Sequence, residues 1–346
     1  MYASMHENEA LDAARAIARS TRRGNEINTV MLEEQICAEA GLWEPAAARR
    51  ALDQSHGDPS HAVSMLRVWA AAQPHLEALT VQPTDVVLTR RLSSAYPQIP
   101  GGQWLGFAPE LVTRQLDWSD DTGDDPPATA NPVPPQVDSP LGDARLPADA
   151  PRRADTLRVR DLIQGAPTVP PAADGPGDDP ARAVLVPPHN RSNRLAMLTR
   201  GETGALVSLA AMILGRRQEA VLVELSVAVA TVRIHHPRTG IPVAIAELPI
   251  TEVEVVLDAD VGGRPGLALG WGATLGTVER RAIALALLDA AMLADGDLAE
   301  PLMLDEQTII AATDGPATNG FVEHLRLPHY AGFTAYLAQA AAKEQR

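Results

Sequence analysis

Residues 219–234, EAVLVELSVAVATVRI, and 240–257, GIPVAIAELPITEVEVVL, decide the fold. Both are rich in Val and Ile and alternate in part with a period of two, which sends successive side chains to opposite faces of a strand. The connector His235-His236-Pro237-Arg238-Thr239-Gly240 is short and carries a proline and a glycine, so the two runs read as one long antiparallel hairpin. A hairpin alone is marginal in water and needs cover for its apolar face. The flanks supply it. Residues 191–199 and 203–214 have helical periodicity, and 277–294, TVERRAIALALLDAAMLA, is the most apolar helix of the chain, with Thr277 as its N-cap and Glu279 at its positive end. A last helix is expected over about 331–344.

Upstream the character is different. Residues 6–23 form an amphipathic helix, acidic at its start and basic at its end, stopped by Gly24. Residues 29–40 and 45–55 give two shorter Ala-rich helices. Asp58-Pro59 caps a fourth, whose stripe is Val63, Leu66, Trp69 and Ala70. Residues 85–92 are extended, Pro100-Gly101-Gly102 is a turn, and 109–117 is one more helix. From 119 to 186 the chain is low in complexity: fifteen of its 29 prolines fall between Pro126 and Pro188, among paired aspartates. Such a stretch buries too little apolar surface to offset its ordering entropy, so a disordered or loosely draped linker is expected, with a short helix around Val159–Ile163. The whole reads as α+β: a mainly helical N-terminal domain over 1–118, the linker over 119–186, and over 187–346 helices packed on a small antiparallel sheet containing the long hairpin.

Composition excludes several classes of function. The 346 residues hold 29 Lys and Arg against 44 Asp and Glu, a formal charge of −15. That is the wrong sign for sequence-independent nucleic-acid binding or for rest on an anionic membrane. No apolar run approaches the ~18 residues of a membrane span, so no membrane insertion is expected. The single cysteine, Cys37, cannot support an intrachain disulfide, a Cys-rich zinc module or an iron–sulfur cluster held by this chain, and a cytoplasmic home is expected.

Against this acidic background three clusters combine cations with glycine. The first is Arg90-Arg91 with Pro100-Gly101-Gly102. The second is Arg191, Arg194 and Arg200-Gly201-Glu202. The third is Gly270-Trp271-Gly272 and Gly276, leading into Glu279-Arg280-Arg281. Guanidinium forks suit phosphate, and bare backbone or a helix N-terminus lets an oxyanion approach. Solvated arginines and ordinary turn glycines would look the same in sequence. His324 and His329 flank Pro328, which breaks any helix between them and lets a turn bring both imidazoles together, the usual ligands for a metal such as zinc. Two histidines do not complete such a site. Glu247, Thr251, Glu252 and Glu254 offer carboxylates for acid–base work, although strand alternation also places some of them in solvent.

These pieces occur in an order that resembles one family. The stretches are Met1-Tyr2, Arg22-Arg23-Gly24, Gly57-Asp58 with Leu66-Arg67, Arg90-Arg91-Leu92-Ser93, and Ile99-Pro100-Gly101-Gly102-Gln103 through Gly106. They continue with Arg191-Ser192, Arg194-Leu195, Arg200-Gly201-Glu202, Glu247-Leu248, Thr251-Glu252, Gly270 through Asp289, and Gly320-Phe321-Val322 to His329-Tyr330. Over 1–118 and 187–343 the chain is similar to the I subunits of the carbon–phosphorus lyase core complex (PhnI), a cytoplasmic bacterial machinery for phosphonate breakdown. The resemblance implies that the chain helps displace adenine from MgATP, a substrate, by methylphosphonate, giving α-D-ribose 1-methylphosphonate 5-triphosphate. It implies the G, H, J and L subunits as partners, two copies per core complex, and a zinc site at the boundary with the J subunit to which His324 and His329 contribute.

From the chemistry of that reaction, Arg90, Arg91, Gly101, Gly102, Arg191, Arg194 and Arg200 are expected to meet the anion, with Glu252 and Glu279 as catalytic carboxylates. The competing expectation is a scaffold that bridges partners and supplies metal ligands. Two stretches depart from the family pattern: Gln218 to Glu224, where only Glu224 survives, and Leu111-Val112-Thr113-Arg114, where Thr113 replaces a histidine.

Overall fold

The computed structural model describes residues 28–74, 81–94, 151–163, 189–216, 222–260, 263–293 and 306–314, with single positions at 103, 108, 110, 334, 337 and 341–342. The expected helix at 6–23, most of those at 109–117 and 331–344, and the residues Gly101, Gly102, His324 and His329 lie outside them.

The first three helices among the described residues, α1 (Val30–Ala40), α2 (Pro45–Gln54) and α3 (Pro59–Ala71), pack around Ile36, Cys37, Ala48, Leu52, Ala62, Val63 and Leu66. Gly41, at φ +73°, ends α1 by taking a backbone conformation that side chains resist. The Asp58 carboxylate accepts from the backbone N–H of Ser60 and His61 and caps α3, as Asp58-Pro59 predicted. Burial pushes the Cys37 thiol up to about 12, so it is an inert core residue.

Beyond the bundle come β1 (Val86–Ser93), a single turn α4 (Val159–Leu162), α5 (Arg191–Leu198) and α6 (Thr203–Arg216). The expected hairpin follows as β2 (Leu222–His235) and β3 (Pro242–Asp260), then β4 (Pro265–Leu275), α7 (Glu279–Leu293) and α8 (Glu306–Thr313). The four strands form one antiparallel sheet in the order β1-β2-β3-β4. The α+β reading therefore holds, and the long hairpin is the centre of the sheet.

One face of the sheet is apolar. Leu225, Val227, Val253, Val255 and Leu257 meet Leu206, Ala210 and Ile213 of α6 and Ala282, Leu285, Ala286 and Ala290 of α7. Strand β4 was not expected. Its glycines had looked like a cradle for phosphate, and the structure assigns them to packing instead. A Cβ on Gly272 would lie 2.5 Å from the Ala286 nitrogen and 2.7 Å from the Ala282 oxygen, so α7 rests directly on the backbone of β4. Only hydrogen at these positions lets the axis come so near.

The other face carries a small apolar cluster, Val86, Leu88, Ala228 and Ala230, and beside it a polar region crossed by residues 151–162. The loose-linker expectation gives way here. Arg152 forms a bridge with Val87, Pro151 O accepts from Leu88 N, and Thr84 O accepts from the Arg152 guanidinium at 2.6 Å. A segment with few apolar side chains is held by backbone pairing at one end and by ion pairs along its length. The short helix expected near 159–163 is present as α4.

Candidate functional site

Strand register builds the site. Glu224 stands opposite Glu254, which stands opposite Trp271. One step along, Arg91 stands opposite Ser226, and Ser226 opposite Glu252. Direct partners and alternate residues share a face, so Arg91, Glu224, Glu252, Glu254 and Trp271 all emerge on the polar side. Three carboxylates side by side repel, and cations answer each one. Arg91 reaches Glu224 at 3.1 Å, and both are almost fully buried. Its guanidinium also donates to Leu157 O of the crossing segment.

That segment supplies the rest. Arg158 grips Glu252 with both terminal nitrogens, at 2.6 Å and 3.0 Å, while Arg153 Nε donates to the same carboxylate at 3.2 Å. The Trp271 indole N–H donates to Glu252 Oε1 at 2.7 Å. Arg160 pairs with Glu254. Burial lowers the Arg153 pKa from its ordinary value, and Glu252 partly opposes the shift. Glu252 is thus fixed in position by two guanidiniums and an indole. Arg158 and Arg160 keep part of their side chains in solvent.

The other expected cations go elsewhere. Arg90, one residue before Arg91, points to the opposite face and pairs with Glu279 at 2.6 Å in the first turn of α7. Arg191 meets Asp289 through Nε at 3.1 Å and Nη2 at 2.6 Å, and donates to Leu269 O at 2.9 Å; Arg194 lies 3.9 Å from the same carboxylate. Ten helical residues separate Glu279 from Asp289, roughly 15 Å along the axis. Arg90, Arg91 and the Arg191–Arg194 pair therefore occupy three places, and the structure does not bring them together. Arg200 lies against Gly41, and its backbone oxygen accepts from Arg67 at 2.6 Å. Glu202 of the same cluster caps α6 through Gly204 N and Ala205 N. Arg281, fully buried, donates to Gly201 O at 2.6 Å and Thr203 Oγ1 at 2.8 Å, and burial pulls its pKa down to about 10.

The start of α7 is a second polar locus. Thr277, the expected N-cap, lies just before the helix and donates its N–H and hydroxyl to Glu34 of α1, at 2.7 Å and 2.8 Å. Glu110 accepts from Arg280 N at 3.1 Å. Glu110 thus meets one backbone N–H of the first turn, while Glu34 binds Thr277 two residues ahead of α7, so the cap position is Val278 and not the expected Thr277.

Glu34 Oε1 is buried without a hydrogen-bond partner, and desolvation raises the pKa to about 7 despite the Thr277 bonds. The folded state therefore holds its proton more tightly than the unfolded chain does. Stability from this group is complete below the unfolded value near 4.5 and is lost as pH rises through about 7. Thermal melts from pH 5 to pH 8 are expected to show this decline, on the order of 3 kcal/mol. Glu34→Gln removes it, so the variant gains on the wild type as pH rises.

Sequence reading missed Arg153, Arg158, Arg160 and Asp289, and named Trp271 only as part of a glycine cluster. The four missed residues left a trace. Arginines recurring within an acidic, proline-rich stretch, and one aspartate inside an otherwise apolar helix, are local exceptions that only an ion partner explains. Among the described residues no group of three His, Cys, Asp or Glu is placed to hold a metal ion, and no helix is long and apolar enough to cross a membrane.

The model of one protein family, bacterial phosphonate metabolism protein (PhnI), matches residues 3–346. The chain belongs to the PhnI family. Its relatives include the putative C-P lyase subunit protein HtxH of Stutzerimonas stutzeri, 34% identical over 88% of this chain and 82% of that protein. The α-D-ribose 1-methylphosphonate 5-triphosphate synthase subunits PhnI of Escherichia coli and Rhizobium meliloti are each 31% identical. The first match covers 97% of this chain and 96% of the relative, the second 88% and 81%. The match runs through both the N-terminal bundle and the sheet, so a PhnI chain is the unit to which the buried ion pairs belong.

Proposed function

We propose that this chain is the I-type subunit of a multi-subunit synthase in phosphonate breakdown. In this reading it helps methylphosphonate displace adenine from MgATP, and the product is α-D-ribose 1-methylphosphonate 5-triphosphate. The observation that carries the reading is the end-to-end match to relatives named as subunits of such a synthase. It works in the cytoplasm with the G, H and L subunits, meets the J subunit in the same core complex, and contributes two copies of itself.

Displacement of adenine from C1′ passes through a cation resembling an oxocarbenium ion. A carboxylate held rigidly beside that carbon stabilises it without reorganising. Glu252 is such a carboxylate, with Trp271 as an apolar wall beside it. We assign it the role of facing the cation; Glu279, paired with Arg90 on the opposite face of the sheet, takes no part at the same carbon. Arg158 and Arg160, which keep solvent access beside Glu252 and Glu254, are the contacts for the triphosphate, while Arg194 and Arg200 stand elsewhere in the fold. His324 and His329 supply two ligands of a zinc site shared with the J subunit.

Reconstitution tests this reading. Adenine release from MgATP and methylphosphonate by the assembled subunits is expected to stop when this chain is omitted. Glu252→Gln is expected to slow it by ~10²-fold or more while assembly is unchanged. The complex carrying His324→Ala and His329→Ala loses zinc by elemental analysis. The scaffold reading is favoured by a specific observation: Arg90, Arg91 and Arg191 already pair with carboxylates of their own chain. Full adenine release by the Glu252→Gln complex decides for the scaffold.

A further inference from the structure

Each oxygen of the Glu252 carboxylate faces two donors. Oε1 meets the Trp271 indole N–H at 2.7 Å and Arg158 Nη1 at 2.6 Å; Oε2 accepts from Arg153 Nε at 3.2 Å and Arg158 Nη2 at 3.0 Å. A carboxylate offers roughly four acceptor sites, so none is left over for a cation brought by a ligand. The role assigned to Glu252 requires one donor to leave. Its direct neighbours across the sheet are Ser226 and Ala273, both small, so the carboxylate is covered by the crossing segment and by Trp271.

The crossing segment has a fixed half and a light half. In residues 151–156, Pro151 O accepts from Leu88 N at 2.9 Å and Arg152 bridges to Val87. Thr156 is buried, and the Arg153 side chain is only 4% exposed. Leu157 marks the junction, with its carbonyl bound by Arg91. Past it, Arg160 and Asp161 are exposed, and the segment is held to the sheet by Arg158 on Glu252 and by Arg160 on Glu254. Arg158 keeps 24% of its side chain in solvent and Arg160 45%. Trp271 is fixed in β4 and Arg153 is buried, so Arg158 is the donor free to go. A guanidinium fork that fits a carboxylate also fits phosphate, and a polyphosphate carries several charges against the one on each glutamate.

We propose that residues 157–162 are a latch over Glu252 that polyphosphate releases: Arg158 and Arg160 exchange Glu252 and Glu254 for phosphate oxygens, and the chain swings about Leu157. The exchange frees one acceptor site on each Glu252 oxygen, while Arg153 and Trp271 keep the carboxylate in place. With no polyphosphate bound the same arginines keep it covered, so Glu252 is offered to a cation only after the triphosphate is seated. This rests on the reading of this face as a triphosphate site.

Hydrogen exchange of the purified full chain, with magnesium and inorganic tripolyphosphate as the probe, gives the test. Saturating tripolyphosphate is expected to speed exchange in 157–162 by ~10-fold or more, while the Leu88 amide, bonded to Pro151 O, keeps its rate. Sodium chloride at equal ionic strength leaves 157–162 unchanged. Arg158→Gln exchanges fast with no probe present and gains little from it, and Arg160→Gln shows a smaller change in the same direction. Tripolyphosphate that leaves 157–162 unchanged or slows it overturns the latch, as does an equal response to sodium chloride. Adenine release by the assembled subunits separates this inference from the reading it rests on. An unresponsive segment, with release lost in Glu252→Gln, overturns the latch and leaves the synthase role standing. A responsive segment, with full release by Glu252→Gln, supports the latch and overturns the synthase role.

Discussion

Gly272→Ala is expected to cost this chain the packing of α7 on its sheet. The added methyl would meet backbone atoms of Ala282 and Ala286, which cannot rotate away as a side chain tip would. The helix has to lift or slide, and with it go the contacts of Ala282, Leu285, Ala286 and Ala290, all fully buried. Overpacking of a close interior costs about 1–3 kcal/mol where side chains can adjust, and backbone contact puts this case at the upper end or beyond. Chemical denaturation should show a loss above ~3 kcal/mol, or insoluble expression. Gly215→Ala, near the end of α6 with nothing within 4 Å of the added carbon, is the control. It should be neutral or slightly stabilising, because alanine favours helix. Equal effects at the two sites would contradict the close approach of α7.

The second large effect is expected at Arg191. Asp289 is fully buried in the middle of α7, and its carboxylate is satisfied by the Arg191 fork and by Trp271 N at 2.8 Å. Arg191→Met keeps the apolar stem and removes the charge, which leaves a buried carboxylate without its main partner. Breaking one side of a buried pair costs roughly 3–5 kcal/mol. The paired change Arg191→Met with Asp289→Leu should recover much of that loss, because no charge remains to desolvate. Recovery will be incomplete, since Trp271 N then lacks its acceptor. Urea midpoints of the four proteins in the cycle measure this coupling directly. Additive losses would mean that the two side chains do not depend on each other.

Both predictions concern residues that the sequence had offered to a ligand. Gly270 and Gly272 had the composition of an anion cradle, and Arg191 belonged to a cationic cluster. Local sequence reports chemical capacity: a guanidinium fork fits a carboxylate as well as it fits a phosphate. Which of the two it meets depends on what lies opposite. Asp289 is 98 residues from Arg191, and Glu279 is 189 from Arg90. Pairs that far apart leave no periodic signal in one sequence. The same holds for Glu34, which binds Thr277 just ahead of α7 from a helix 243 residues upstream. The crossing segment shows the opposite failure. Its prolines and aspartates announced disorder, while a few arginines were enough to hold residues 151–162 on the sheet.

The sequence by itself determined the hairpin, the helices that cover it and the capped N-terminal bundle, because strand and helix periods and cap chemistry are set by neighbours within a few residues. Its ordered motifs also determined the family. Tertiary structure alone decided that the acidic residues of β2 and β3 form one face under Arg153 and Arg158, that α7 lies on bare backbone, and which carboxylate each buried arginine meets. Those outcomes depend on register and on the distance of closest approach, and both are fixed only when strands and helices pack together.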